Sequence, residues 1–126
     1  MAREIIITDR APAPPPTFSQ AVKAGGLVFV AGQGPFDPVT GEVVGETIQE
    51  QIRQSLTNVS AILEAAGTSL KNAVSATVIF AEEEDFAGIN EEWLKWFPQD
   101  PPARQVSYLP VRPKGMKVSV ALIASA

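Results

Sequence analysis

One arginine in the C-terminal quarter of the chain has the chemistry and the setting of an anion clamp. Arg104 follows Pro101-Pro-Ala and opens a strand-like run, Arg-Gln-Val-Ser-Tyr-Leu. A guanidinium placed where a loop enters a strand is a rigid fork of donors, which can hold a carboxylate through two parallel hydrogen bonds. On spacing alone, a surface or interface ion pair is the simpler interpretation. The sequence therefore supports two hypotheses for Arg104, a carboxylate-binding site and a structural ion pair.

The composition removes several kinds of catalytic site. The 126 residues include no cysteine and no histidine, which excludes zinc sites built on these ligands, cysteine nucleophiles and Ser-His-Asp triads. The net charge of −4, with scattered Lys and Arg, argues against a nucleic-acid partner. Gly32-Gln-Gly34 lacks the third glycine and the helix start of a dinucleotide loop. We therefore expect no metal and no cofactor.

The length and the hydropathy pattern predict one domain that spans residues 1–126. No apolar run approaches the length needed to span a membrane, and the N-terminus lacks the basic and then apolar pattern of a signal peptide. These features predict a cytoplasmic location without membrane contact.

The first half of the chain predicts a strand, a hairpin and a long helix. Residues 4–8 are rich in β-branched side chains, and the segments 18–24 and 27–31 flank Gly25-Gly26, a dipeptide typical of a two-residue hairpin turn. Thr47 and Glu50 match a capping box, and apolar residues then recur at helical spacing until Gly67. The pattern predicts a helix of about five turns with one apolar face.

The second half predicts the elements that must hold Arg104. Residues 73–81 alternate like a strand, and the acidic residues 82–85 are typical of a solvated turn before a helix, which we favour over a carboxylate metal site. An aromatic stripe from Phe86 to Phe97 marks a second helix that ends at Pro98, and Asn90 lies one position beyond that stripe. Two strands, near residues 103–109 and 116–124, follow it.

The order of elements, β-ββ-α-β-α-β-β, predicts an α+β fold in which two helices cover only one face of the sheet. The last strand is nevertheless apolar on both sides, with Val118, Val120 and Leu122 on one side and Ala121 and Ile123 on the other. A strand buried on both faces needs a cover on each. We therefore expect a second subunit on the open face, in a closed homo-oligomer with pockets at its subunit boundaries.

Six segments, in order along nearly the whole chain, resemble the RidA family, also known as YjgF or L-PSP. They are Phe18-Ser-Gln-Ala-Val, Leu27-Val-Phe-Val-Ala-Gly-Gln33, Asp37-Pro-Val-Thr-Gly41, Leu63-Glu-Ala-Ala-Gly67, Asp85-Phe-Ala-Gly-Ile-Asn90 and Pro101-Pro-Ala-Arg104. The resemblance implies a chorismate-mutase-like α+β subunit with a mostly antiparallel or mixed sheet. It also implies a homotrimer with three clefts between neighbouring subunits.

The resemblance further implies a deaminase that hydrolyses reactive enamines and imines, such as 2-aminoacrylate and 2-iminobutanoate, to 2-oxo acids and ammonia. By the family's pattern, Arg104 clamps the substrate carboxylate and the backbone carbonyl of Val106 helps to hold the attacking water. An acidic residue in the last strand assists with the proton, and its position here is Ser119. Substrate-binding positions implied in the same way are those of Phe18, Ala31, Gly32 and Asn90.

Three of these positions depart from the family's pattern. Phe18 stands in place of a tyrosine, Ala31 in place of a serine and Ser119 in place of the acid. The sequence therefore leaves two functions open: a deaminase with weak or altered activity, and a non-catalytic trimer that binds a small carboxylate or a partner protein. A ribonuclease, which an old label of the family suggests, fits poorly with an acidic chain that has no histidine.

Overall fold

The computed structural model describes residues 2–126, and its helices and strands follow the predicted order. Neither helix formed by these residues is long and apolar enough to cross a membrane. Short 3₁₀ turns lie at Leu70–Asn72, Glu83–Asp85 and Pro113–Gly115. The strands are β1 (Glu4–Ile6), β2 (Ala21–Ala24), β3 (Leu27–Gln33), β4 (Ala73–Phe80), β5 (Ala103–Tyr108) and β6 (Val118–Ser125), and the helices are α1 (Ile48–Ala65) and α2 (Phe86–Trp96).

The six strands form one mixed sheet in the order β1-β2-β3-β6-β4-β5. Every neighbouring pair is antiparallel except β4 and β5, which are parallel and joined through α2. The last strand therefore lies between β3 and β4, so the two C-terminal strands are not neighbours and β5 is left at the edge. The predicted α+β class with a mixed sheet is confirmed.

Local signals set the ends of α1 as predicted. The Thr47 hydroxyl accepts a hydrogen bond from the Glu50 amide at 3.1 Å, and the Glu50 carboxylate accepts one from the Thr47 amide at 3.0 Å. The bond from the Thr47 amide is the main cause that lowers the pKa of the Glu50 carboxyl. At the other end Gly67 has φ +88°, and the Thr68 amide closes the helix on the Leu63 carbonyl at 3.0 Å.

The core lies between the two helices and one face of the sheet, which we call the helix face. The predicted stripe of α1 is buried there, together with Ile89 and Trp93 from α2 and Phe97, which caps the C-terminus of that helix. The sheet contributes Val28, Val30, Ala76, Val78, Val118, Val120 and Leu122. Strict alternation along β4 would place Val74 on the same side as Ala76 and Val78, but Val74 is exposed because the register between β4 and β6 shifts between Ala73 and Ser75.

An ion pair ties α2 to α1. The Glu92 side chain, 3% exposed, accepts hydrogen bonds from Arg53 at 3.1 and 3.2 Å and from the Trp96 indole at 3.2 Å. The Arg53 bond is the main cause that lowers the pKa of Glu92. Gly88 lies so close to α1 that a Cβ there would be 2.5 Å from the Ile48 side chain. These contacts fix the position of α2, and with it the residues that α2 directs toward β5.

The other face of the sheet, which we call the open face, carries apolar side chains that remain partly exposed in the described part of the chain. One row of paired residues crosses it from Ile5 through Val22 and Phe29 to Ile123. Ile5 and Phe29 are 48% and 43% exposed, whereas Val28 and Leu122, their neighbours on the helix face, are buried. The helices therefore cover one face of the sheet, as predicted, and the other face keeps partly exposed apolar side chains.

Candidate functional site

Arg104 is held on the helix face at the edge of the sheet. It is the second residue of β5 and pairs with Ala76 of β4 in parallel register. Its Nη2 donates a hydrogen bond of 2.8 Å to Oδ1 of Asn90. The guanidinium carbon lies 5.2 Å from the centre of the Trp93 ring and 5.8 Å from that of the Phe86 ring. All three neighbours belong to α2.

The charge of Arg104 has no counterion among the residues that the structure describes. Within residues 2–126, no carboxylate lies within ion-pair distance of it, whereas Arg53 is bound to Glu92 and Arg112 to Glu82. Arg104 is also partly buried, and this desolvation lowers the pKa of its guanidinium. Because the pKa of an arginine starts so far above neutrality, the group stays charged at pH 7. A half-buried cation without a partner is suited to binding an anion from outside the chain.

A hollow of about 280 Å³ lies on the same edge of the sheet as Arg104. Val106 and Tyr108 line it together with Phe80, and Phe80 stacks on Phe86 at 5.8 Å between ring centres. Val106 follows Arg104 by two residues and therefore points to the same side of β5. The role of its carbonyl toward a water molecule stays a prediction.

A second group of predicted site residues surrounds the glycines that end β3. Ser119 is buried in β6, and a Cβ on Gly32 would lie 2.8 Å from its Oγ. The Ala31 amide donates to the Gln20 carbonyl at 2.9 Å. Only a glycine allows the backbone at position 32 to pass so close to Ser119. Gly32 therefore allows a close approach between the backbone of β3 and the side chain of Ser119 in β6.

Phe18 belongs to this second group and is half exposed. Its ring lines a cavity of about 180 Å³ together with Gly32, Gly34, Phe36 and the prolines at positions 12, 14 and 15. The buried side-chain amides of Gln20 and Asn58 fix the backbone around this cavity. Gln20 bonds the backbone of Thr8 and Pro12, and Asn58 donates to the carbonyls of Gly34 and Phe36.

One chain does not bring the two groups together. The register places Ser119 in a row with Ile79 and Ser107 on the open face, three residues along the strands and two strands across from Arg104. Strand spacing makes the separation of the Cα atoms of Arg104 and Ser119 about 14 Å. The side chains of Arg104 and Ser119 also leave opposite faces of the sheet. Arg104, Val106 and Asn90 thus form one group, and Phe18, Ala31, Gly32 and Ser119 form another.

The role of the aromatic residues beside Arg104 could not be predicted from the sequence. Their helical spacing is that of a core stripe, and Trp93 is buried in the core, but Phe86 is 40% exposed and both rings face the guanidinium. The spacing of Phe86, Asn90 and Trp93, i, i+4 and i+7, places them on one helix face and was available as a signal. The spacing does not show which strand these residues face.

Comparison with known families and structures agrees with the geometry. The family model described as Endoribonuclease L-PSP matches residues 8–126. A RutC family protein of Pyrococcus horikoshii is 43% identical over 122 residues, which are 97% of each chain. A 2-iminobutanoate/2-iminopropanoate deaminase of Capra hircus is 37% identical over 98% of this chain and 90% of its own.

Solved structures share the whole fold. RidA from an Antarctic Psychrobacter superimposes with a TM-score of 0.91 at 39% identity, covering 98% of this chain and 99% of its own. E. coli TdcF with bound serine gives a TM-score of 0.90 at 37% identity, with 98% of both chains covered. The chain belongs to the RidA (YjgF, L-PSP) family.

Proposed function

We propose that this protein hydrolyses reactive 2-imino acids, and the enamines in equilibrium with them, to 2-oxo acids and ammonia. The observation that carries the proposal is the partly buried charge of Arg104, which no carboxylate among residues 2–126 neutralises. A substrate carboxylate would supply the missing charge. The deaminase names of relatives at 37% identity and the serine bound to a structural neighbour support a ligand that carries a carboxylate.

The proposed reaction adds water across the C=N bond of the imine, after which the carbinolamine releases ammonia and leaves the 2-oxo acid. Arg104 holds the carboxylate, and the carbonyl of Val106 accepts a hydrogen bond from the attacking water. Because an imine is already electrophilic, positioning of the two reactants supplies much of the rate. The chain therefore needs no strong nucleophile of its own.

Ser119 sets an upper limit on this activity. A hydroxyl in the last strand can orient a water molecule but is a poor base at neutral pH. Loss of a general acid or base typically costs about 10²–10⁴-fold in rate. We therefore expect measurable hydrolysis that is slower than that of relatives with an acidic residue at this position.

A homotrimer with clefts between subunits would complete the site. Arg104 and Ser119 lie about 14 Å apart and on opposite faces within one chain, so a single molecule cannot place both on one small substrate. The apolar open face supplies a surface that another copy can cover. In the proposed assembly the Arg104 group of one subunit faces the Phe18 and Ser119 group of its neighbour.

A second function, a trimer that binds small carboxylates without catalysis, is favoured by the side chains around Phe18. The residues at positions 18, 31 and 119 include no ionisable group and one hydroxyl, while the cation at 104 is kept. Such a site can bind an anion but has no ionisable group that could transfer a proton. We do not propose the ribonuclease activity that the family description names, because the net charge of −4 disfavours RNA.

Formation of 2-oxo acid from enzymatically generated 2-iminobutanoate separates the two functions. The deaminase proposal expects faster release of 2-oxobutanoate with the protein than with buffer or an equal mass of albumin. A rate equal to the buffer rate, together with calorimetric binding of 2-oxobutanoate, would instead establish the binding function. Absence of both would refute the carboxylate site itself.

The assembly has its own test. Sedimentation equilibrium at micromolar concentration is expected to give a mass close to three times 13.4 kDa. Substituting Phe29→Glu in the centre of the open face should shift the sedimentation toward single chains, because a buried charge on each copy opposes association. Wild-type protein that sediments as single chains would contradict the trimer. The compartment in which the reaction takes place stays a prediction from the sequence.

A further inference from the structure

The contacts of Arg104 come from one face of α2. Phe86, Asn90 and Trp93 follow one another at i, i+4 and i+7, so about two turns of helix direct three side chains to the same guanidinium. Trp93 is buried and packs on Phe97 with 4.8 Å between ring centres. Trp93 therefore anchors the support beneath Arg104 in the hydrophobic core.

None of these three neighbours carries a charge. The contrast with Arg53 is direct, since Arg53 is bound by two oxygens of Glu92 from the same helix, two residues further along. Asn90 offers one amide oxygen in place of a carboxylate, and the two aromatic rings offer their π faces. Each contact orients the guanidinium, and none of them neutralises it.

We propose that Phe86, Asn90 and Trp93 form a charge-neutral cradle that orients Arg104 and keeps its positive charge available for a substrate carboxylate. The inference rests on the proposed function of Arg104. It assigns Asn90 and Trp93 as positioning residues that act through Arg104. It also gives a reason for an amide at position 90, where a carboxylate of the same shape would form a stronger bond to the arginine.

The substitution Asn90→Asp tests the neutrality of the cradle, because aspartate keeps the shape and the acceptor atom of asparagine and adds a charge. Binding of 2-oxobutanoate, the unreactive product, is measured by titration calorimetry at pH 7.5. We expect Asn90→Asp to raise the Kd at least about tenfold, since an internal ion pair competes with the ligand. We also expect a Tm no lower than that of the wild type, because the new pair holds Arg104 more firmly.

The matched variant Asn90→Ser withdraws the acceptor from Arg104 without adding charge, because the serine side chain is too short to reach the guanidinium. It should raise the Kd only a few-fold, because Arg104 loses one orienting bond and keeps its charge. If Asn90 served only to hold Arg104 in place, Asn90→Asp would bind as well as the wild type and Asn90→Ser would be the weaker variant. That order would overturn the inference while leaving the proposed function intact.

Trp93 provides a second measurement that does not depend on these variants. Trp96→Phe leaves Trp93 as the single tryptophan of the chain, and its ring lies 5.2 Å from the guanidinium carbon. Addition of 2-oxobutanoate should change its emission, and Arg104→Ala in the same background should abolish the change. If 2-oxobutanoate binds by calorimetry but leaves the emission unchanged, the ligand does not bind at the guanidinium beside Trp93. A wild-type protein that binds no 2-oxo acid would refute the proposed function, and this inference with it.

Discussion

Replacing Arg104 with alanine is expected to lower kcat/KM for 2-iminobutanoate by about a hundredfold or more. A hydrogen bond to a charged group contributes about 1.5–3 kcal/mol, which corresponds to roughly a tenfold to 150-fold change. Loss of the fork also frees the substrate to rotate away from the attacking water. Release of 2-oxobutanoate, coupled to a dehydrogenase, measures the effect. The kcat/KM of Arg104→Lys should lie between those of the wild type and Arg104→Ala, because an ammonium keeps the charge without the planar arrangement of donors.

Arg112→Ala is the matched control for this experiment. Arg112 is exposed, forms an ion pair with Glu82 at 3.1 Å and lies on the loop that follows β5. Its removal should change kcat/KM less than about twofold, since exposed ion pairs contribute little. Circular dichroism and sedimentation of the variants should match the wild type. A correctly folded Arg104→Ala protein that hydrolyses the imine at the wild-type rate would remove Arg104 from the site.

The largest effect on stability is expected for Leu56→Ala. Leu56 lies in the middle of α1, is fully buried and belongs to the core formed with the helix face of the sheet. Removing three side-chain carbons from a packed core costs the lost hydrophobic burial and leaves a cavity, about 2–5 kcal/mol in total. Urea unfolding, followed by circular dichroism at one fixed protein concentration, should show this loss in the free energy of unfolding.

Leu94→Ala makes the same chemical change on the solvent side of α2. Leu94 is 64% exposed, and alanine has a slightly higher helix propensity, so the free energy of unfolding should change by less than about 0.5 kcal/mol. Equal losses from the two variants would show that Leu56 is not packed as described, or that Leu94 is covered by another molecule in solution.

Much of the secondary structure could be predicted because its causes lie within a few residues. Thr47 and Glu50 cap each other, Gly25 and Gly26 both adopt positive φ between β2 and β3, and Gly67 closes α1. Each signal depends on groups that the chain brings together locally. The departure at Val74 arises from a bulge between β4 and β6, whose pairing depends on a distant strand.

The candidate site could be predicted only in part. Arg104 was recognisable from its own chemistry and its entry into a strand, and the resemblance added the positions around it. The cradle was not recognisable, because Asn90 and Arg104 are fourteen residues apart and meet only through the parallel β4-α2-β5 crossover. The separation of Arg104 from Ser119 likewise depends on the insertion of β6 beside β4.

Residue types along the chain were enough to predict the kinds of element, their order, the family and the arginine that we propose to bind a carboxylate. Capping, turn formation and apolar periodicity act over short stretches of chain, so residue types are enough to predict them. Tertiary packing is what makes α2 present two aromatic rings and an amide to Arg104 and makes Ser119 point from the opposite face of the sheet. These relations depend on strand order and on the side of the sheet to which each residue points, and both are set by packing of the whole core.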